Sequence, residues 1–265
     1  MNIRQYQAAR YPFLWLTTTE EERTIRAHRA QLKETARVFS WDIAAGFQEL
    51  APNGEKGQYI WKKAQDETTT SPGAALLEIL TMPENSIYYL KDYHKYFEDI
   101  TVVRRALNIK ETLKATARLV CFISCMGQAA IPAELKNDIC PFIPPMPTRE
   151  ELAETIKRIA ADNEEKGIKQ PTPKELDALS NALIGLTEET AENALSLCLV
   201  QLKKFDAKVL LKEKARLIQS TSGLTYQEYS ETLQDLAGLE VLISYIMKAA
   251  PARRPGGDPA TRPLF

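Results

Sequence analysis

The chain has 265 residues, with 34 basic against 35 acidic side chains and a net charge of −1. That balance excludes global electrostatic steering towards nucleic acid or an anionic membrane, leaving only local patches open. A 44% hydrophobic and 26% charged composition excludes a wholly disordered chain, and the length suits one α/β domain with an appendage.

Phe13-Leu14-Trp15-Leu16-Thr17 is a continuous apolar run. It is expected to be a buried strand, because strands covered on both faces lose their alternation. A helix is expected next. Thr18 with Glu21, or Thr19 with Glu22, offers a capping box, and Glu20, Glu21 and Glu22 suit the positive end of the helix dipole. Ile25, Arg29, Leu32 and Ala36 then share one face at helical spacing. Val38-Phe39-Ser40-Trp41-Asp42 reads as a second strand. Residues 44–72 are poorly patterned. Pro52, Asn53, Gly54 and Gly57 suggest the tip of a small hairpin running into Tyr59-Ile60-Trp61. A helix is expected over 72–82, a third strand over 86–90, a helix over 101–117, a fourth strand over 119–124 and a weaker fifth over 139–143. This alternation predicts an α/β fold. It should hold a parallel sheet of five strands with right-handed crossovers and helices on both faces.

The texture changes at Pro144-Pro145-Met146-Pro147, after which only helices are expected. Thr148-Arg149-Glu150-Glu151 is a capping signal, and Thr172-Pro173-Lys174-Glu175 opens another helix with proline at its first position. Gly185-Leu186-Thr187-Glu188-Glu189 closes one helix and opens the next. Helices near 207–220 and 231–248 complete the region. The domain reading is therefore an α/β domain over 1–147, a helical lid-like domain and linker helix over 148–248, and a disordered tail over 249–265. The last fifteen residues hold four prolines and two glycines.

No apolar run reaches the roughly 18 residues of a membrane helix, and no secretory leader is expected. Cys121, Cys125, Cys140 and Cys198 form no CxxC pair, and His28 and His94 are the only histidines, so no metal site is expected. Free thiols of this kind fit a reducing cytoplasm. His94 has no visible nucleophile to serve and reads as a surface or capping histidine. Trp15 and Trp41 read as core. The basic run Lys203, Lys204, Lys208, Lys212, Lys214 and Arg216 is diluted by Asp206 and Glu213 and reads as a solvated face.

In Ser86-Ile87-Tyr88-Tyr89-Leu90-Lys91-Asp92, buried residues end a strand and an acid follows. That is the outline of a Walker B motif, whose acids hold Mg²⁺ and orient water. Here Lys91 stands in the first acidic position and only Asp92 remains, and an ammonium cannot ligate a cation. Ser124 ends the next strand where a sensor residue would sit. Ile131-Pro132-Ala133-Glu134-Leu135, the proline-bearing segment to Leu152, and the helices over 176–194 resemble the end of an AAA+ core and its lid. With Tyr11-Pro12-Phe13-Leu14-Trp15-Leu16-Thr17, Phe39-Ser40-Trp41-Asp42, Pro83-Glu84-Asn85-Ser86 and Leu90-Lys91-Asp92-Tyr93-His94, the match narrows. The chain resembles the N-terminal, degenerate AAA+-like half of the AAA+ ATPases known from a conserved hypothetical chloroplast reading frame and its bacterial relatives. The resemblance implies an AAA+-like, P-loop-type strand order with Phe13–Thr17 inside the sheet beside Leu119–Ser124. In that family an active AAA+ domain follows the degenerate one, and Asp235-Leu236-Ala237-Gly238-Leu239-Glu240 resembles the linker into it.

The sequence contains no GxxxxGK[ST]. A phosphate cradle needs glycines, free N–H groups and a lysine at the first strand–helix turn. This turn offers Thr17-Thr18-Thr19-Glu20-Glu21-Glu22 instead. The expectation is a non-catalytic interaction or assembly module that takes no cofactor, with ATP and Mg²⁺ confined to a second domain absent from this chain. The expected partner is a protein, namely a separate AAA+ ATPase or a second copy meeting apolar residues 236–247. No nucleic acid or membrane partner is expected. A truncated or split ATPase with residual nucleotide binding is the alternative, and a nucleic-acid-binding accessory protein is a further one.

Overall fold

The structure, a computed structural model, describes residues 2–220 except position 34 and segments 55–58 and 65–68. In chain order the elements are α1 (Ile3–Ala8), β1 (Phe13–Thr17), α2 (Glu21–Ala30), β2 (Val38–Asp42), β3 (Gly46–Pro52), β4 (Tyr59–Lys63), α3 (Pro72–Glu78) and β5 (Ile87–Lys91). Then follow α4 (Ile100–Ala115), β6 (Leu119–Ser124), β7 (Ile139–Phe142), α5 (Arg149–Asp162), α6 (Pro173–Leu183), α7 (Glu188–Leu202) and α8 (Ala207–Ser220). Residues to Leu211 form one compact unit, and of a second, from Lys212, the described part continues α8.

The sheet runs β4-β3-β2-β5-β6-β1-β7. The five expected strands form its parallel core, with β1 between β6 and β7. Successive side chains point to opposite faces. Phe13, Trp15, Trp41, Tyr88, Leu90 and Phe122 therefore pack with α3 and α4, while Leu14, Leu16, Ile87, Tyr89, Cys121 and Ile123 pack with Ile3 and Ile25. Both faces are covered, so these strands are unbroken apolar runs. Trp15 and Trp41 are core as expected, each with its indole N–H on a backbone carbonyl, Met126 and Thr69 respectively. They sit on strands separated by β5 and β6, not on neighbours.

The structure corrects the count of five. The hairpin becomes β3 and β4, which pair antiparallel and extend the sheet to seven strands. Only Gly46 and Phe47 of β3 and none of β4 are fully buried, so neither strand carries the apolar run that marks the core. The expected capping box at α2 is absent. Thr18 Oγ1 accepts instead from the Glu20 N–H at 2.9 Å, and the Glu20 side chain leaves its own helix uncapped. The helix stops at Ala30, so Leu32 and Ala36 lie beyond it.

Past β7 the described elements are helices, packed on their own core of Leu152, Ile156, Leu183, Leu195, Cys198 and Leu210. Both expected capping boxes form, Thr148 with Glu151 and Thr172 with Glu175, and Thr187 caps α7. Each T-x-x-E satisfies two otherwise orphaned N–H groups. Thr172→Ala is expected to lower stability by about 1 kcal/mol in urea denaturation. The helix expected over 231–248, the tail and the apolar 236–247 segment lie outside the described residues. No helix among the described residues is long and apolar enough to cross a membrane.

Candidate functional site

The parallel strands end at a common edge, and there the β1–α2 turn faces the ends of β5 and β6. The Thr18 N–H donates to Ser124 O at 2.9 Å, which carries the ladder one residue past β1. Three glutamates then lead into α2; two turn to one partner and the third to others.

Glu21 and Glu22 turn towards β5. Lys91, its last residue, places Nζ 2.8 Å from Glu22 Oε1 and 3.2 Å from Glu21 Oε2. The Trp61 indole on β4 donates to Glu22 Oε2 at 3.0 Å, and the ammonium lies 6.0 Å from the centre of that ring. Burial opposes charge on Lys91, but the bonds to Glu22 and Glu21 overcome it and raise its pKa. Burial likewise acts to raise the Glu22 pKa, and the bonds from Lys91 and Trp61 outweigh it and lower the value. Lys91 and Glu22 therefore each hold the other in its charged form.

Glu20 turns the other way. Its Oε1 accepts from the Glu188 N–H, the first of α7, at 2.6 Å, and its Oε2 pairs with Arg23 at 3.3 Å. Here a carboxylate from the α/β part occupies the positive end of a helix in the helical part. Arg23 extends the bridge: it donates to Pro145 O at 2.8 Å and to Glu151 Oε2 on α5 at 3.0 Å. Arg26 pairs with Glu188. Glu151 also accepts from the Thr148 N–H; burial acts to raise its pKa, but that bond and Arg23 hold it below the usual carboxylate range.

The other expected site residues are not brought into this cluster. Asp92 follows β5 with φ 52°, in the left-handed region, and its carboxylate lies 4.0 Å from Lys95. Ser124 is buried, and its Oγ accepts from the Met126 N–H and donates to Met126 O. It shapes a turn. His94 Nδ1 is buried without a hydrogen-bond partner among the described residues, and burial lowers the ring's pKa. Cys121 is buried and Cys125 exposed. No group of three metal-ligating side chains occurs among the described residues. The partners that sequence reasoning missed are Arg23, Trp61 and the Glu188 N–H. Only Arg23 carried a signal, as a cation directly after the acidic run.

Residues 1–142 match the family model for the SpoVK-like AAA ATPase N-terminal domain, and residues 150–221 match that for the second domain of the same ATPases. The chain belongs to the SpoVK-like AAA ATPase family. It is similar to uncharacterized AAA domain-containing ycf46 proteins. Identity is 24% with that of Pyropia yezoensis, covering 93% of this chain and 48% of the relative, and 27% with that of Guillardia theta, covering 90% and 45%. The ycf46 protein of Trieres chinensis is 26% identical, covering 91% and 46%. The chain thus spans about half the length of the curated relatives it matches. Among solved structures, the Holliday junction branch migration motor RuvB of Thermotoga maritima aligns at 14% identity with a TM-score of 0.47, covering 84% of this chain and 68% of that one.

Proposed function

We propose that this SpoVK-like AAA chain is a non-catalytic interaction module, the N-terminal portion of a two-domain ATPase, that takes no nucleotide itself. The observation that carries the reading is the filling of the first strand–helix turn by the chain's own charges. Phosphates need convergent donors at this turn, and it presents three carboxylates. The cation position at the end of β5 holds Lys91, already engaged by Glu21 and Glu22. These residues do not suit a triphosphate with its metal, so no step of nucleotide chemistry is assigned to them. What remains is an α/β platform joined to helices by Glu20 and Arg23, suited to docking on a protein. Its partner is then an active AAA+ ATPase domain, in the same protein or a separate chain, and its setting the cytoplasm.

Calorimetric titration with ATP and Mg²⁺ tests this. No saturable heat is expected up to millimolar ATP. A dissociation constant under about 10 μM would overturn the reading, since it requires roughly 7 kcal/mol from a turn that repels phosphate.

A further inference from the structure

Two adjoining cavities of about 570 Å³ each open on the helical region, where the segment after α5 meets the end of α7. Ile168 and Lys203 line both, so the two form one groove. The floor is apolar: Ile168, Leu179 and Leu199 are buried there, with Phe205 packed against the same core. Val200, on the wall, is 80% exposed.

Among the charged side chains of the lining, bases outnumber acids four to one. Lys166, Lys169, Lys203 and Lys204 face one carboxylate, Glu175. That carboxylate is already committed to its capping box, accepting from Thr172 N and Oγ1 at 2.8 and 2.7 Å. Lys166 donates to the Asn163 amide oxygen, a neutral group. Among the described residues Lys169, Lys203 and Lys204 enter no ion pair, whereas Arg149, Arg158 and Arg216 of the same region each have one. Lys203 also ends α7 with φ 53°, a left-handed position that favours glycine. Its N–H donates to Leu199 O at 2.8 Å, which closes the last turn of the helix beside the groove.

We infer that this groove docks an acidic peptide segment of a protein partner, one bearing leucine or phenylalanine side chains. Uncompensated lysines select carboxylates, and the apolar floor selects large hydrophobic side chains between them. A single-stranded nucleic acid would call for a series of stacking aromatics, and the lining offers only Phe205. The inference rests on the reading of the chain as an interaction module and names what the module holds.

The test is fluorescence anisotropy with the full chain. The probes are a panel of labelled 14-residue peptides combining four glutamates with leucine and phenylalanine in varied order, and the same peptides with lysine for glutamate. A labelled 20-nucleotide dT strand is the third probe. At least one acidic peptide is expected to bind with a dissociation constant of tens of micromolar, weakening as salt rises, and the lysine peptides should not bind. Lys169→Glu with Lys204→Glu should weaken binding about tenfold or more, Lys169→Arg with Lys204→Arg should retain it, and Val200→Ser should weaken it without changing the salt dependence. These positions lie on the surface, so circular dichroism should be unchanged. No binding by any acidic peptide, equal binding by the charge-reversed variant, or tighter binding of dT would each overturn the inference. ATP binding in calorimetry would overturn the module reading while leaving a positive peptide result in place, so the two failures are distinguishable.

Discussion

Acidification from pH 7 to pH 4 is expected to remove about 3 kcal/mol of stability through His28 alone. The ring is 3% exposed on α2, and burial pushes its pKa down from 6.5 to about 4. In the fold its Nδ1 lies 2.9 Å from the hydroxyl of Tyr89, which is itself fully buried. Neutral imidazole shares a hydrogen bond with that hydroxyl without bringing charge into the core. The sign follows from proton binding. An unfolded His28 takes a proton near pH 6.5, while the folded one withholds it until about 4. Between those values the unfolded state binds more protons, so the stability present above pH 6.5 is lost progressively as pH falls and is gone below the folded value. The carboxylates held low, Glu22 and Glu151, also lose stability in acid, but only as pH falls through the carboxylate range below 4.5. Denaturation curves for the wild type and His28→Gln across pH 7 to 4 separate the two. The amide can either accept from or donate to the Tyr89 hydroxyl and does not titrate, so the difference between the two proteins should close by about 3 kcal/mol towards acid. A difference that stays constant with pH would mean that His28 is not held neutral.

The sequence was most legible where one physical requirement acted alone. Each parallel strand is covered on both faces, and continuous apolar runs such as Phe13–Thr17 and Leu119–Ser124 state that directly. The helical caps at Thr148 and Thr172 were legible because the whole device lies within four residues. At Thr18 the same local pattern misled. Thr18 folds back on the Glu20 N–H, and the glutamates answer to distant partners: Lys91 some seventy residues on and the Glu188 N–H beyond that. Lys91 and the acidic turn were both visible as oddities, but that they pair depends on β5 standing one strand away from β1, a property of strand order. β3 and β4 stayed hidden for the opposite reason. They lie at the end of the sheet, with Gln48, Glu49, Lys62 and Lys63 in the ladder, and half-exposed strands tolerate a composition that reads as loop. Trp61 was thus placed in a hairpin with no hint that its indole would reach Glu22.

Arg23→Ala is expected to cost about 3 kcal/mol, because it removes one partner from an ion pair largely withdrawn from solvent. The Arg23 side chain is 12% exposed and that of Glu20 is 9% exposed. One guanidinium there serves three groups: Glu20 on its own helix, the Pro145 carbonyl in the connection, and Glu151 on α5. Without it, Glu20 keeps only the Glu188 N–H, and its charge is left under-compensated. Glu151 suffers less, since its carboxylate is half-exposed and still bound by the Thr148 N–H. Arg23→Lys keeps the charge but replaces a planar fork by a point donor that cannot reach three acceptors at once, so it should recover only part of the loss. Glu20→Gln keeps an acceptor for the Glu188 N–H while giving up the charge, and its cost should be the smallest of the three. If these contacts tie the helical part to the sheet, Arg23→Ala should also raise the rate of proteolytic cleavage within residues 143–148, beyond the rise expected from lower global stability. Matched urea curves and cleavage rates, compared with a core variant of equal stability loss such as Ile156→Ala, make the distinction. Equal cleavage in the two variants would show that Arg23 contributes to stability without holding the helices against the α2 end of the sheet.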